Sequence, residues 1–232
     1  ELGFDSPWRY QFFISLNMRF DIVTIFPNII EEYVNTGILS GAQKKDLVEI
    51  AVHDLRKWTN DRHKTVDDTP YGGGPGMIMK VEPIYKAVNE LKKDGTIVAI
   101  TTPKGERLTQ SKLKEFSQKK DLHMIVLCGR YEGFDQRIHD YVADYEFSIC
   151  DYILSGGEIP ALVLVDGITR LLPGVLGNEQ SLDEETFENN TLEYPQYTKP
   201  ENFNGWKVPD VLLSGNHKEI KEYKEKNKQK LS

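Results

Sequence analysis

Short apolar runs alternate with amphipathic stretches along the chain. Five runs read as buried strands: Phe20–Phe26, Val48–Val52, Thr96–Ile100, His123–Leu127 and Phe147–Leu154. Between them apolar positions recur at helical spacing. Ile29, Ile30, Tyr33 and Val34 share a face over Pro27–Asn35, Ile84, Val88 and Leu91 over Pro83–Lys92, and Leu113 and Phe116 over Leu108–Gln118. Ala161–Leu172 has two readings. Ala161–Val165 alone suits a strand, whereas Leu162, Val165, Thr169 and Leu172 fit a helical face, which the length of the segment favours. The alternation of strand, loop and helix predicts an α/β domain built on a parallel sheet.

Other segments break this rhythm. Asp54–Pro83 is polar and long for a connection inside a compact domain, which marks function or disorder. Its glycines at 72, 73, 74 and 76 give the backbone unusual freedom. Pro173–Glu201 is acidic and reads as a linker, and Asp210–Lys230 as a small helical tail with a turn at Gly215-Asn216. Residues 1–17 are aromatic and aperiodic, and Phe12-Phe13-Ile14 is too short for a signal-peptide core. Translation is expected to start at Met18, with 1–17 an upstream extension.

Composition narrows the choices. A chain of 232 residues suits one large domain, or one with a small companion. The net charge of −7 gives no bulk attraction to nucleic acid, so an RNA partner has to be met by local basic patches. The two cysteines, Cys128 and Cys150, are too few for a disulfide framework and read as reduced core thiols of a cytoplasmic protein. The apolar runs are too short to cross a bilayer.

The candidate chemistry sits where strands end. Gly129–Gly133 and Ser155–Glu158 follow predicted strands, and Thr101–Gly105 follows a third. Glycine there lets backbone amides approach a ligand, and open α/β sheets bind ligands at the carboxyl ends of their strands. One small-molecule site is therefore expected. It is not a nucleotide fingerprint, since neither G-x-G-x-x-G nor G-x-x-x-x-G-K-[ST] occurs. His53, Asp54, Asp61 and His63 fit no metal-ligand spacing.

Five strings in order, Asp61–Met77, Cys128–Gly133, Asp151–Pro160, Pro173–Gly177 and Val208–His217, resemble the bacterial tRNA (guanine-N1-)-methyltransferase family of the SPOUT class, from about Met18 to about Lys221. The resemblance implies an α/β fold with a parallel sheet and a C-terminal trefoil knot over 18–177, a linker over 178–201, and a small helical domain over 202–232, where the chain stops short of many relatives. It implies a homodimer with each active site built from both subunits. It implies transfer of a methyl group from S-adenosyl-L-methionine to N1 of the guanosine at tRNA position 37, immediately 3′ of the anticodon, with magnesium as an aid to activity.

Carried over residue by residue, Thr102 and Pro103 in the first loop and Gly129, Tyr131, Glu132 and Gly133 in the second are expected to hold the donor. Ile149, Tyr152, Leu154, Ser155, Gly156, Gly157 and Pro160 join them from the third, and Glu132 offsets the sulfonium charge. Guanine N1 carries a proton at neutral pH, so transfer calls for a base, and a cation at O6 as charge builds there. Arg170 matches the family arginine in the second role, which a permanently charged guanidinium suits. The base matches Glu185: the family string Glu-Asp-Ser-Phe reads Glu184-Glu185-Thr186-Phe187 here, with Asp183 and Glu184 as neighbouring alternatives. Cys150 stands where glycine is common, and Gln196 where histidine is. Arg62, His63 and Lys199 are the candidate RNA phosphate contacts, with Lys64 and Lys207 beside them, and Asp67 is a candidate for positioning the target loop.

Overall fold

In chain order, the computed structural model, which describes residues 18–177 and 191–230, places β1 at Met18–Thr24, α1 at Pro27–Val34, α2 at Gly37–Lys44, β2 at Val48–Asp54, a 3-10 turn at Leu55–Trp58, β3 at Asp67–Asp68 and β4 at Ile78–Met79. Then come α3 at Val81–Leu91, β5 at Ile97–Arg107, α4 at Gln110–Ser117, β6 at His123–Leu127, α5 at Gln136–Tyr141, β7 at Tyr145–Ser148 and α6 at Glu158–Thr169. A second compact unit starts at Gly177. In it are β8 at Thr191–Leu192, β9 at Asn202–Phe203, β10 at Trp206–Lys207, α7 at Asp210–Leu213, α8 at His217–Asn227 and β11 at Gln229–Lys230.

The first unit is built on a five-stranded sheet of order β2-β1-β6-β5-β7, with every neighbouring pair parallel. Both faces of its central strands are buried, which is why those strands read as continuous apolar runs rather than as alternating ones. Phe20, Ile22, Met124 and Val126 point to one face, where α1, α2, α4 and α6 cover them with Ile30, Leu39, Phe116, Leu164 and Ile168. Val23, Ile125 and Leu127 point to the other, under Ile84 and Val88 of α3, Ile138 of α5 and Trp58. Gly167 brings α6 against α4: a Cβ there would lie 2.7 Å from Leu113 Cδ1.

Three expectations need correction. The segment Thr101–Gly105 is not a loop beyond a finished strand. Extended backbone continues to Arg107, Thr101 and Glu106 both register on Phe147, and residues 102–105 arch out between them. Gly105 closes that arch, since a Cβ on it would fall 2.6 Å from Phe147 Cα. The predicted strand Phe147–Leu154 ends at Ser148, whose hydroxyl donates to the Cys150 carbonyl (2.9 Å) and turns the chain away from the sheet. Cys150 is accordingly half-buried in a loop rather than a core thiol, while Cys128 is buried. Helices α2 and α5 were not among the expected elements. Asp135 starts α5 by accepting from the Arg137 amide (2.9 Å).

A buried carboxylate ties the sheet together on the α3 side. Asp21, 1% exposed, accepts from His53 Nε2 (2.7 Å), His123 Nε2 (2.7 Å) and the Arg19 guanidinium (2.7 and 2.9 Å). Arg19 also pairs with Glu49. His123 Nδ1 lies 2.7 Å from Thr96 Oγ1, which itself accepts from the Lys93 amide (2.9 Å), so the relay runs from Lys93 through Thr96 and His123 to Asp21. Burial opposes ionisation of Asp21, but the hydrogen bonds from His53, Arg19 and His123 outweigh it and hold the carboxyl far below the usual carboxylate range. A depressed carboxyl stabilises the fold above its unfolded pKa of about 3.9, and that stability drains as pH falls below it. Asp21→Asn is expected to cost about 3 kcal/mol at pH 7. In urea unfolding at pH 7 and pH 3, the gap between variant and wild type narrows at the lower pH; a gap independent of pH would contradict the account.

In the second unit, β8 pairs antiparallel with β11, and β9 with β10. The latter hairpin turns on Asn204 and Gly205, both at positive φ (53° and 89°), the geometry of a tight hairpin turn. Asn216 caps α8, accepting from the Lys218 amide (3.2 Å).

Candidate functional site

Between the arch within β5 and the carboxyl ends of β6 and β7 the chain encloses a cavity of about 470 Å³. The arch 102–105 forms one wall, the segment from Gly129 to Gln136 a second, and the loop 149–157 a third, with Pro160 of α6 at its edge. Every residue expected from the sequence at a donor pocket lines this cavity, from Thr102 and Pro103 through Gly129 to Pro160. The apolar run Ile149–Leu154 that resembled a strand is instead its apolar wall: Tyr152, Ile153 and Leu154 are exposed, and all three face the cavity.

Close backbone approach makes this geometry. The Gly157 amide donates to the Gly129 carbonyl (2.7 Å), and the Gly129 amide donates to Thr101 Oγ1 (3.1 Å). A Cβ on Gly157 would overlap Thr101 Oγ1 and lie 2.6 Å from the Gly129 nitrogen. The three walls therefore meet at Thr101, Gly129 and Gly157, with no room for a side chain. The second wall is braced from outside by β3 and β4. Glu132 donates its amide to Met77 (3.0 Å), and Met79 donates to Gly133 (2.9 Å). Gly76 packs against the Glu132 side chain, where a Cβ would be 2.5 Å from Glu132 Cγ.

Tyr131 adopts a left-handed backbone (φ 57°), which turns the chain between Arg130 and Gly133. Its hydroxyl pKa is raised, first by burial and then by the negative charge of Asp67 beside it. The thiol of Cys128 is pushed well up by burial and by the Glu158 carboxylate, so it stays protonated and is no nucleophile.

One polar cluster has no counterpart in the sequence reading. Glu158 opens α6 yet is 1% exposed. Its Oε1 accepts from the Thr24 hydroxyl (2.7 Å), and its Oε2 accepts from Arg130 Nε and Nη2 (both 2.8 Å). Arg130 Nη1 donates to the Ser155 carbonyl (3.1 Å), and the guanidinium lies 4.5 Å from the Phe26 ring centroid. Arg130 lines the cavity. Glu158 stands inside the string Asp151–Pro160, but nothing in the string says that its side chain points into the protein.

The remaining expected residues fall elsewhere. Arg170 ends α6, donating its amide to Asp166 (3.0 Å), and does not line the cavity. At the rise of an α-helix it stands about 18 Å along the axis from Glu158. Glu185, with Asp183 and Glu184, lies outside the described residues. Asp67 registers opposite Met79 and joins the cavity's outer brace. Arg62 and His63 are exposed on a turn held by Asp61, which accepts from the His63 and Thr65 amides (3.1 and 3.0 Å). Lys199 is exposed in the second unit. Among the described residues no group of three or more His, Cys, Asp or Glu side chains is placed to hold a metal ion. None of their helices is long and apolar enough to cross a membrane.

The outer faces of α1 and α6 carry an exposed apolar stripe of Phe26, Ile29, Tyr33, Ile159 and Val163. Ile159, Val163, Asp166 and Arg170 follow one another at helical spacing, so the stripe leads towards Arg170. The Tyr33 hydroxyl bridges the helices by donating to Asp166 (2.9 Å), which also raises its pKa.

A family model described as tRNA (Guanine-1)-methyltransferase TrmD matches residues 18–232. Curated relatives named tRNA (guanine-N(1)-)-methyltransferase extend over nearly the same span. The protein of Dictyoglomus turgidum is 53% identical over 209 residues, covering 90% of this chain and 84% of its own. That of Geobacillus kaustophilus is 50% identical, covering 90% and 86%, and that of Clostridioides difficile 48% identical, covering 89% and 90%.

Proposed function

The chain belongs to the tRNA (guanine-N1-)-methyltransferase family and is a methyltransferase, and from that premise we propose that it methylates N1 of the tRNA guanosine immediately 3′ of the anticodon, using S-adenosyl-L-methionine held in the cavity between the β5 arch and the ends of β6 and β7. The observation that carries this reading is the convergence of the β5 arch and the two loops after β6 and β7 on one cavity of about 470 Å³. That volume suits a ligand of the donor's size, since small-molecule pockets run from about 300 to 1,000 Å³ with mostly apolar walls. Pro103, Ile149, Tyr152 and Leu154 provide apolar contact for a nucleoside, and the glycines at 129, 156 and 157 let the walls close around it without side chains in the way. When bound, the donor supplies a methyl group on a positively charged sulfur, and the exposed Glu132 provides a carboxylate to balance that charge.

The rest of the work falls to the chain's own groups. Glu185 removes the N1 proton as the methyl arrives, and Arg170 stabilises the negative charge that builds on O6. Arg170 sits too far along α6 to serve the cavity of its own chain, which supports a homodimer in which each subunit completes the other's site. The exposed apolar stripe on α1 and α6 is the surface such a dimer would bury. The passage of Gly157 between Thr101 and Gly129 supports a knotted path there. A tRNA substrate supports a cytoplasmic enzyme.

Methyl transfer from labelled donor to unmodified tRNA, with guanosine or adenosine 3′ of the anticodon, tests the reading. Incorporation is expected into the guanosine tRNA alone, and Glu185→Gln is expected to bind donor normally while losing transfer. Equal incorporation into both tRNAs would overturn the target base, and full turnover by the variant would overturn the base assignment.

A further inference from the structure

We propose that Glu158, by cancelling the charge of Arg130 in the cavity wall, lets the site favour the sulfonium donor over the neutral thioether that remains after transfer. This rests on the reading that the cavity holds the donor. A guanidinium stays charged at any working pH, and Arg130 lines the cavity. Alone, it would oppose a cationic ligand. The other charged or titratable groups at the wall are Lys104 and Glu132, both exposed, and His139, whose Nδ1 lies 3.0 Å from Glu146. Arg130 is therefore the permanent cation whose charge is least screened by water, with a side chain only 18% exposed.

Glu158 is placed to answer that charge from behind the wall. It does not line the cavity, and its two oxygens are taken up by Thr24 and Arg130. A buried ion pair of this kind adds little net stability. Its placement also fixes where the guanidinium sits. Held by Glu158, the Ser155 carbonyl and the Phe26 ring, it lies against Gly156, where a Cβ would be 2.5 Å from Arg130 Cδ.

Donor and product share nucleoside and amino-acid parts and differ by one methyl group and one unit of charge. The ratio of their affinities therefore isolates the wall's electrostatics from its shape. Titration calorimetry of wild type, Glu158→Gln and Arg130→Gln with S-adenosyl-L-methionine and with S-adenosyl-L-homocysteine tests the pair. Glu158→Gln is expected to shift the ratio about tenfold towards the neutral product, the scale of one unpaired charge near a ligand at protein-like dielectric. Arg130→Gln should shift it a similar factor the other way, and the double variant should return it near the wild-type value. Because the signs oppose, either single variant decides the matter if the other fails to fold. A loss of affinity for both ligands at an unchanged ratio would reduce the pair to a structural role and overturn the proposal. A wild type that binds neither ligand, or binding that survives Leu154→Arg in the cavity wall, would instead overturn the placement of the donor, and this proposal with it.

Discussion

Replacing Gly157 by alanine is expected to weaken donor binding about a hundredfold, the affinity equivalent of about 3 kcal/mol. The new methyl would overlap Thr101 Oγ1 and sit 2.6 Å from the Gly129 nitrogen. Neither neighbour can yield easily. Thr101 is buried and bonds the Gly129 amide and the Leu127 carbonyl (3.1 and 3.4 Å), and Gly129 is backbone already bonded to Gly157. The strain would part the second wall of the cavity from the third, and overpacking of this kind costs about 3 kcal/mol. Gly41→Ala in α2 is the control: a Cβ there meets nothing within 4 Å, so it should leave binding unchanged and, inside a helix, raise stability by about 0.5 kcal/mol. Calorimetric donor titration with thermal unfolding reads both. Donor affinity in Gly157→Ala within a few fold of wild type would refute the close-packed junction.

Arg170→Ala should lower the rate of methyl transfer by a factor of about a hundred to a thousand, as expected when a group that stabilises developing oxyanion charge is lost. Donor affinity should hold, because Arg170 does not line the cavity. The sharper result comes from mixing. Leu154→Arg alone blocks the cavity and Arg170→Ala alone lacks the cation, so each homodimer is inactive. A mixed dimer restores one complete site, the intact cavity of one chain facing the intact Arg170 of its partner. Random reassortment of equal amounts should recover about a quarter of wild-type activity, from the symmetry of a two-site dimer. No recovery on mixing, with mixed dimers verified by mass, would show that Arg170 serves the cavity of its own chain or none.

Much of the site was legible because its chemistry is local in sequence. Gly129–Gly133 and Ser155–Glu158 announce themselves through glycines that follow apolar strands, and the parallel sheet follows from the alternation of strand and helix. The strings from Asp61–Met77 to Val208–His217 identify the family with no coordinates at all. What failed was local pattern where tertiary contact overrides it. Phe147–Leu154 has the composition of a strand, yet past Ser148 its apolar side chains line a cavity rather than the core. Thr101–Gly105 reads as a loop, yet it is an arch in a strand that resumes its pairing at Glu106.

The sequence by itself determined the fold class, the family and the segments that form the cavity, since each depends on residue types within a few positions of one another. Only the tertiary structure decided which distant groups meet. Asp21 finds His53 and His123, 32 and 102 positions away, and Glu158 reaches back 134 positions to Thr24. Such pairs leave no periodic trace, because a buried charge is stabilised by partners that only the crossing of strands and loops brings within hydrogen-bonding distance.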